Sequence, residues 1–135
     1  LEAMATAAGA PQVLAMLDAR MGEVYVGRYV AGNDGYALDG EIRVLAPDLL
    51  DLPAGTGWLA CGNALAAYPA LIARLLEAGI AGQPGIVPTA ALVAQIAAIR
   101  VARGEVIDAA QAAPLYVRDK VAKTVAERLG EGGRA

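Results

Sequence analysis

The sequence predicts an α/β fold, with a three-stranded antiparallel or mixed meander followed by alternating helices and short strands. Two observations carry this. Residues 13–45 hold short apolar or alternating runs broken by glycine-containing turns, the pattern of strands. Residues 57–103 instead mix short apolar runs with stretches whose apolar residues recur at helical spacing. At 135 residues the chain is one domain by length and can bury a core.

Leu1 to Ala8, LEAMATAA, is helix-forming and without an N-cap; Gly9 ends it and Pro11 prevents its resumption. It reads as the end of a helix that starts elsewhere. Val13 to Leu17 is a short apolar run expected as a buried strand. Glu23 to Val30, EVYVGRYV, alternates: Val24, Val26 and Arg28 face one way, Tyr25, Gly27 and Tyr29 the other. The break over Ala19 to Gly22 makes an antiparallel hairpin the economical reading. GNDG at 32–35 is a second turn signal, and Glu41 to Leu45 supplies the third strand. Pro47 to Leu52 fits one helical turn.

Gly57 to Cys61, GWLAC, reads as a buried strand broken by Gly62-Asn63. Asn63 is a suitable N-cap for a helix over Ala64 to Ala78 with Leu65, Leu71, Ile72, Leu75 and Leu76 on its apolar face. Pro69 predicts a kink or a delayed start at Tyr68. Glycines 79, 82 and 85 predict a loop, with Ile86-Val87 as a very short strand. Thr89 caps a second helix, Ala90 to Arg103, with Leu92, Val93, Ile96 and Ile99 facing inward and Gly104 ending it. Leu115 to Val117 is a small extended piece, and the end of the chain, EGGRA, is expected to be disordered.

Composition narrows the chemistry. The chain is 57% hydrophobic and 19% charged, much of the apolar content being alanine, and no run is long enough to span a bilayer. No signal peptide is read from it. The single cysteine fits a reducing compartment, and the expected location is cytoplasmic. A net charge of −3 argues against a broad phosphate-gripping surface, so any service to nucleic acid would run through a partner. With no histidine and no serine, the commonest general base, the commonest zinc ligand and the serine nucleophile are all missing. No catalytic, metal or cofactor residue is assigned.

Four places compete for function. Asp18, Arg20 and Glu23 sit where the hairpin reverses; a solvated turn, with Arg20 paired loosely to either acid for at most about 1 kcal/mol, accounts for them, and a polar contact patch is the rival. Gly62-Asn63, between strand and helix, could face an anion, but a strand-to-helix turn with an Asn cap is the simpler account. Cys61 fits a small buried side chain better than a nucleophile. Tyr116, Arg118, Asp119, Lys120 and Lys123 form a charged run that is ordinarily solvated surface; Tyr116 and Arg118 are residue types enriched at interface centres.

The motifs are more specific than the layout. LDARMGEVYVGRYV, GWLACGNALAAYP and AAPLYVRDKVAKT together closely resemble the C-terminal half of the TsaB (YeaZ) family. Asp18, Ala19, Arg20, Gly22, Glu23, Val24 and Tyr25 match its D-A-R-x-G-E-V-Y hairpin; Pro114, Tyr116, Arg118, Val121 and Ala122 match its P-x-Y-x-R-x-x-V-A segment. The resemblance implies one half of an actin-like ATPase (ASKHA) fold. Residues 1–9 would be the end of the interdomain helix, 10–125 the C-terminal actin-like subdomain, and 126–135 a disordered tail. The family's first half, with its phosphate-loop strand, has no counterpart in this sequence. The implied role is a non-catalytic subunit that supports a TsaD-type transferase in forming threonylcarbamoyladenosine in tRNA, alongside a TsaE-type ATPase subunit. In that role tRNA is engaged only indirectly, no membrane is involved, and a homodimer is allowed. Asp18, Arg20, Glu23, Tyr116 and Arg118 are the expected partner-binding residues. A glycoprotease-like hydrolase and a stand-alone nucleotide-binding module are the alternatives.

Overall fold

The structure is a computed structural model that describes residues 1–118. Helix α1 (Glu2–Ala8) leads into strands β1 (Gln12–Arg20), β2 (Glu23–Gly32) and β3 (Gly35–Leu45). A 3-10 turn (Pro47–Leu49) precedes β4 (Trp58–Cys61), α2 (Ala64–Ala67), α3 (Pro69–Glu77) and β5 (Ala81–Gln83). Helix α4 (Ala90–Ala102) and a second 3-10 turn (Ala109–Gln111) follow. The strands form one mixed sheet in the order β3-β2-β1-β4-β5, antiparallel through the meander and parallel from β1 through β4 to β5.

Strand alternation builds a core on each face of the sheet. Leu14 and Met16 of β1, Val24 and Val26 of β2 and Ala60 of β4 point to one side. There they meet Leu65, Leu71 and Leu75 from α2 and α3, together with Leu50 and Ile80. Val13, Ala15, Tyr29 and Cys61 point to the other, against Met4 and Ala5 of α1. The expected facing of β2 therefore holds. Arg28, the one charge on its apolar set, escapes the core by donating from Nη2 to the Asp51 carbonyl at 2.8 Å.

Helix ends follow the sequence in part. Gly9 closes α1 in the left-handed region at φ 65°, and Thr89 Oγ1 caps α4 by accepting from Leu92 N–H. The helix over 64–78 is divided at Tyr68, so Pro69 takes the first position of α3, where its missing N–H costs nothing.

Other expectations are corrected. Strand β3 starts at Gly35, not Glu41, because the turn at Asn33-Asp34 lets the ladder resume at once; apart from half-buried Tyr36, Gly35–Glu41 is an exposed edge that needs no apolar alternation. The fifth strand is Ala81–Gln83, not Ile86-Val87: a short exposed stretch becomes strand because β4 offers it a free parallel edge. Leu76 is turned out to solvent, 65% exposed, beside buried Leu71 and Leu75. Helix α4 buries none of its residues; Leu92 and Ile96 are half-buried, while Val93 and Ile99 are exposed. It lies against α1 and is held by Arg100 to Glu2 and Arg103 to Asp34. Residues 112–118 join no helix or strand. The disordered tail expected over 126–135, with Asp119, Lys120 and Lys123, lies outside the described residues.

Candidate functional site

The β1–β2 hairpin closes on Met21 and Gly22, with φ of 55° and 77°. Positive φ at both central residues is the primed turn that matches strand twist. Arg20 is left-handed as well, at φ 62°, an unusual conformation for a residue with a side chain. Asp18 holds it there: its Oδ1 accepts from Arg20 N–H at 2.9 Å and its Oδ2 pairs with Arg20 Nη1 at 3.1 Å.

Two residues from a different part of the chain converge on the same aspartate. Asn63 Oδ1 accepts from Asp18 N–H at 2.9 Å, and the Tyr68 hydroxyl reaches both Asp18 Oδ1 at 3.1 Å and the Glu23 carbonyl at 3.2 Å. Asn63 is thus not the helix cap expected of it; its own backbone is helical and its side chain makes no cap bond. It ties the end of β1 to the start of α2 instead. The Arg20 N–H bond, helped by the Tyr68 hydroxyl and the Arg20 charge, holds the Asp18 carboxyl below the usual carboxylate range. Burial, and the bond it donates to Asp18, push Tyr68 up.

Gly62 makes this convergence possible. Its φ is 116°, and a Cβ there would sit 1.9 Å from the Met16 carbonyl oxygen and 2.4 Å from Met4 Cε. Only glycine lets the end of β4 close so tightly on β1. The Gly62-Asn63 pair thereby has a structural account that needs no ligand.

Arg118 of the second motif meets the first here, while Val121 and Ala122 lie outside the described residues. Arg118 Nη2 donates to the Ala19 carbonyl at 2.9 Å and to Glu23 Oε2 at 2.6 Å, with its guanidinium over the Tyr25 ring at 5.8 Å. The Arg118 side chain is 16% exposed. Four of the five expected partner-binding residues, Asp18, Arg20, Glu23 and Arg118, therefore form one cluster, and Tyr116 stands two residues away, 80% exposed. Within the cluster the charges cancel: Arg20 answers Asp18, and Arg118 answers Glu23. What the hairpin end offers outward is the Arg20 side chain, 87% exposed, and Met21. Asn63, Tyr68 and Tyr25 were missed as members. The signal for Asn63 was the parallel pairing of β1 and β4, which brings the residue after Gly62 beside Asp18.

Cys61 is fully buried, and burial pushes its thiol up to about 11, away from the reactive thiolate. Among the described residues no three His, Cys, Asp or Glu side chains converge as metal ligands, and no helix is long and apolar enough to cross a membrane.

No protein-family model matches the chain. It is 33% identical over 120 residues, 84% of its length, to the tRNA threonylcarbamoyladenosine biosynthesis protein TsaB of Escherichia coli K12. Over most of its own length the chain is similar to TsaB (YeaZ) proteins in sequence and in fold. The structure superposes on YeaZ from Pseudomonas aeruginosa with a TM-score of 0.69 at 30% identity over 86% of this chain. A second solved structure is described as an uncharacterized protein with similarity to peptidase YEAZ from Pseudomonas aeruginosa. It gives 0.72 at 31% over 87%. The mixed sheet has the actin-like architecture of those YeaZ structures. The chain spans about half the length of the relatives it matches, 51% of the curated one and 56% of each solved structure.

Proposed function

We propose that this chain serves tRNA threonylcarbamoyladenosine formation as a non-catalytic, partner-binding part of a TsaB-type subunit. It would support a TsaD-type transferase in the cytoplasm and a complex that a TsaE-type ATPase joins, with tRNA held by those partners. Residues 10–125 would be the C-terminal actin-like subdomain, preceded by the end of an interdomain helix. The observation that carries the reading is the 33% identity to TsaB joined to the meeting of residues from both motifs in one charge-balanced cluster. A network whose acids are already answered by arginines is suited to holding a surface in shape rather than to moving protons. Exposed Arg20, Met21 and Tyr116 are the residue types that anchor interfaces or adapt to them.

The test is calorimetric titration of the cognate TsaD-type protein with the protein carrying this chain. Arg20→Ala and Tyr116→Ala are each expected to weaken binding about tenfold, near 1.4 kcal/mol, with folding intact. Unchanged affinity in both would refute the surface. A hydrolase reading draws on the peptidase similarity attributed to one solved relative. Peptide turnover by the purified chain, assayed with and without divalent metal, would favour it. Saturable ATP binding would instead favour the nucleotide-module reading.

A further inference from the structure

We infer that residues 112–118 are a releasable strap, with Arg118 as its latch and Glu23, the Ala19 carbonyl and the Tyr25 ring as a guanidinium cradle that the chain fills with its own arginine. The observations concern how little else holds the strap. Residues 112–116 are all exposed, Leu115 at 74%. Among the described residues, the hydrogen bonds that tie residues 113–118 to the body of the protein all come from the Arg118 side chain. Val117 lines an open pocket together with Val44, Leu45 and Leu49.

The cradle is specific for a planar cation. It offers a carboxylate, a carbonyl and an aromatic face, which together match a guanidinium better than an ammonium. The fit is incomplete: Arg118 Nε is buried without an acceptor among the described residues. Desolvating an unpaired donor costs part of what the ion pair contributes, so the seated state stands only modestly below the released one. Release would uncover the Glu23 carboxylate, the Ala19 carbonyl and the Tyr25 ring beside exposed Arg20 and Met21. The hairpin end would then change from a filled surface to an open acceptor for another guanidinium. This inference does not depend on what the surface binds.

Chymotrypsin cleavage after Leu115 or Tyr116 reads the released state, because a protease must draw several flanking residues into extended form. The full chain is compared with Arg118→Ala, Arg118→Lys and Glu23→Gln, and the thermal midpoint of each is measured in parallel. Cleavage is expected to rise about tenfold in Arg118→Ala and Glu23→Gln, and by less in Arg118→Lys, with midpoints close to wild type. Wild-type cleavage rates in both Arg118→Ala and Glu23→Gln would overturn the latch. A midpoint that falls in step with cleavage would also overturn it, since the contact would then belong to the global fold. Glu23→Gln leaves the chain around Arg118 unaltered and keeps the test decisive should Arg118→Ala fold poorly.

Discussion

Helices α3 and α4 invite the same reading from their sequences and meet opposite fates. In α3, Leu71 and Leu75 are buried against the sheet, and Arg74 turns its guanidinium onto the Pro47 and Leu50 carbonyls, pinning the preceding loop. In α4, which is more uniformly apolar, no residue is buried; Arg100 reaches across to Glu2 of α1, and Arg103, just past its end, to Asp34 in the β2–β3 turn. The difference lies in contrast rather than in hydrophobicity. A helix with one polar face can be oriented from sequence, whereas a helix apolar all round has no preferred side. Counting apolar residues measures the wish to be covered, not the presence of a cover.

That contrast can be broken by measurement. The largest effect is expected at Gly62→Ala, where the new Cβ meets the Met16 carbonyl on the buried side: a loss of about 3 kcal/mol or more in urea unfolding. Stability near wild type would mean that β4 does not close on β1 as described. Next, Leu75→Ala in α3 should cost about 2–5 kcal/mol, while Val101→Ala in α4, 61% exposed, should stay within about 0.5 kcal/mol. Equal losses would erase the distinction between the helices.

Alkaline pH sharpens the same comparison on the covered side. The Cys61 thiol ionises at about 11 when folded against an ordinary value of 9.0. The native state therefore holds its proton where the unfolded state has released it, and stability should fall as pH rises from about 9 to about 11, then level off for this group. Cys61→Ala should flatten that part of the profile; an unchanged slope would assign the loss to other groups. The smallest effect belongs to the turn. Arg20→Ala should leave stability within about 0.5 kcal/mol, since its side chain is almost wholly in water.

The meander, the β4 strand, the break at Tyr68 and the caps at Gly9 and Thr89 were legible because each rests on a local signal: alternation, a proline, a glycine, a hydroxyl. Strand β5 was not, because Ala81-Gly82-Gln83 has no strand pattern of its own and is recruited by its neighbour. In the candidate site the residues of both motifs were legible, but not their pairing. Arg20 was free to choose either acid on paper. In space Arg118 takes Glu23 and leaves Asp18 to Arg20. Asn63 illustrates the same limit: its type and position suit a cap, yet the neighbouring strand end competes for its oxygen and wins.

The position of β1 has a consequence for how the chain assembles. On one flank it zips to β2 through a two-residue turn; on the other it must wait for Trp58–Cys61 to return from far along the sequence. Loop-closure entropy favours the near partner first. The ladder with the larger closure cost is the one that carries Gly62 and Asn63 to the hairpin, so the polar knot beside Asp18 is expected to form after the β1–β2 hairpin.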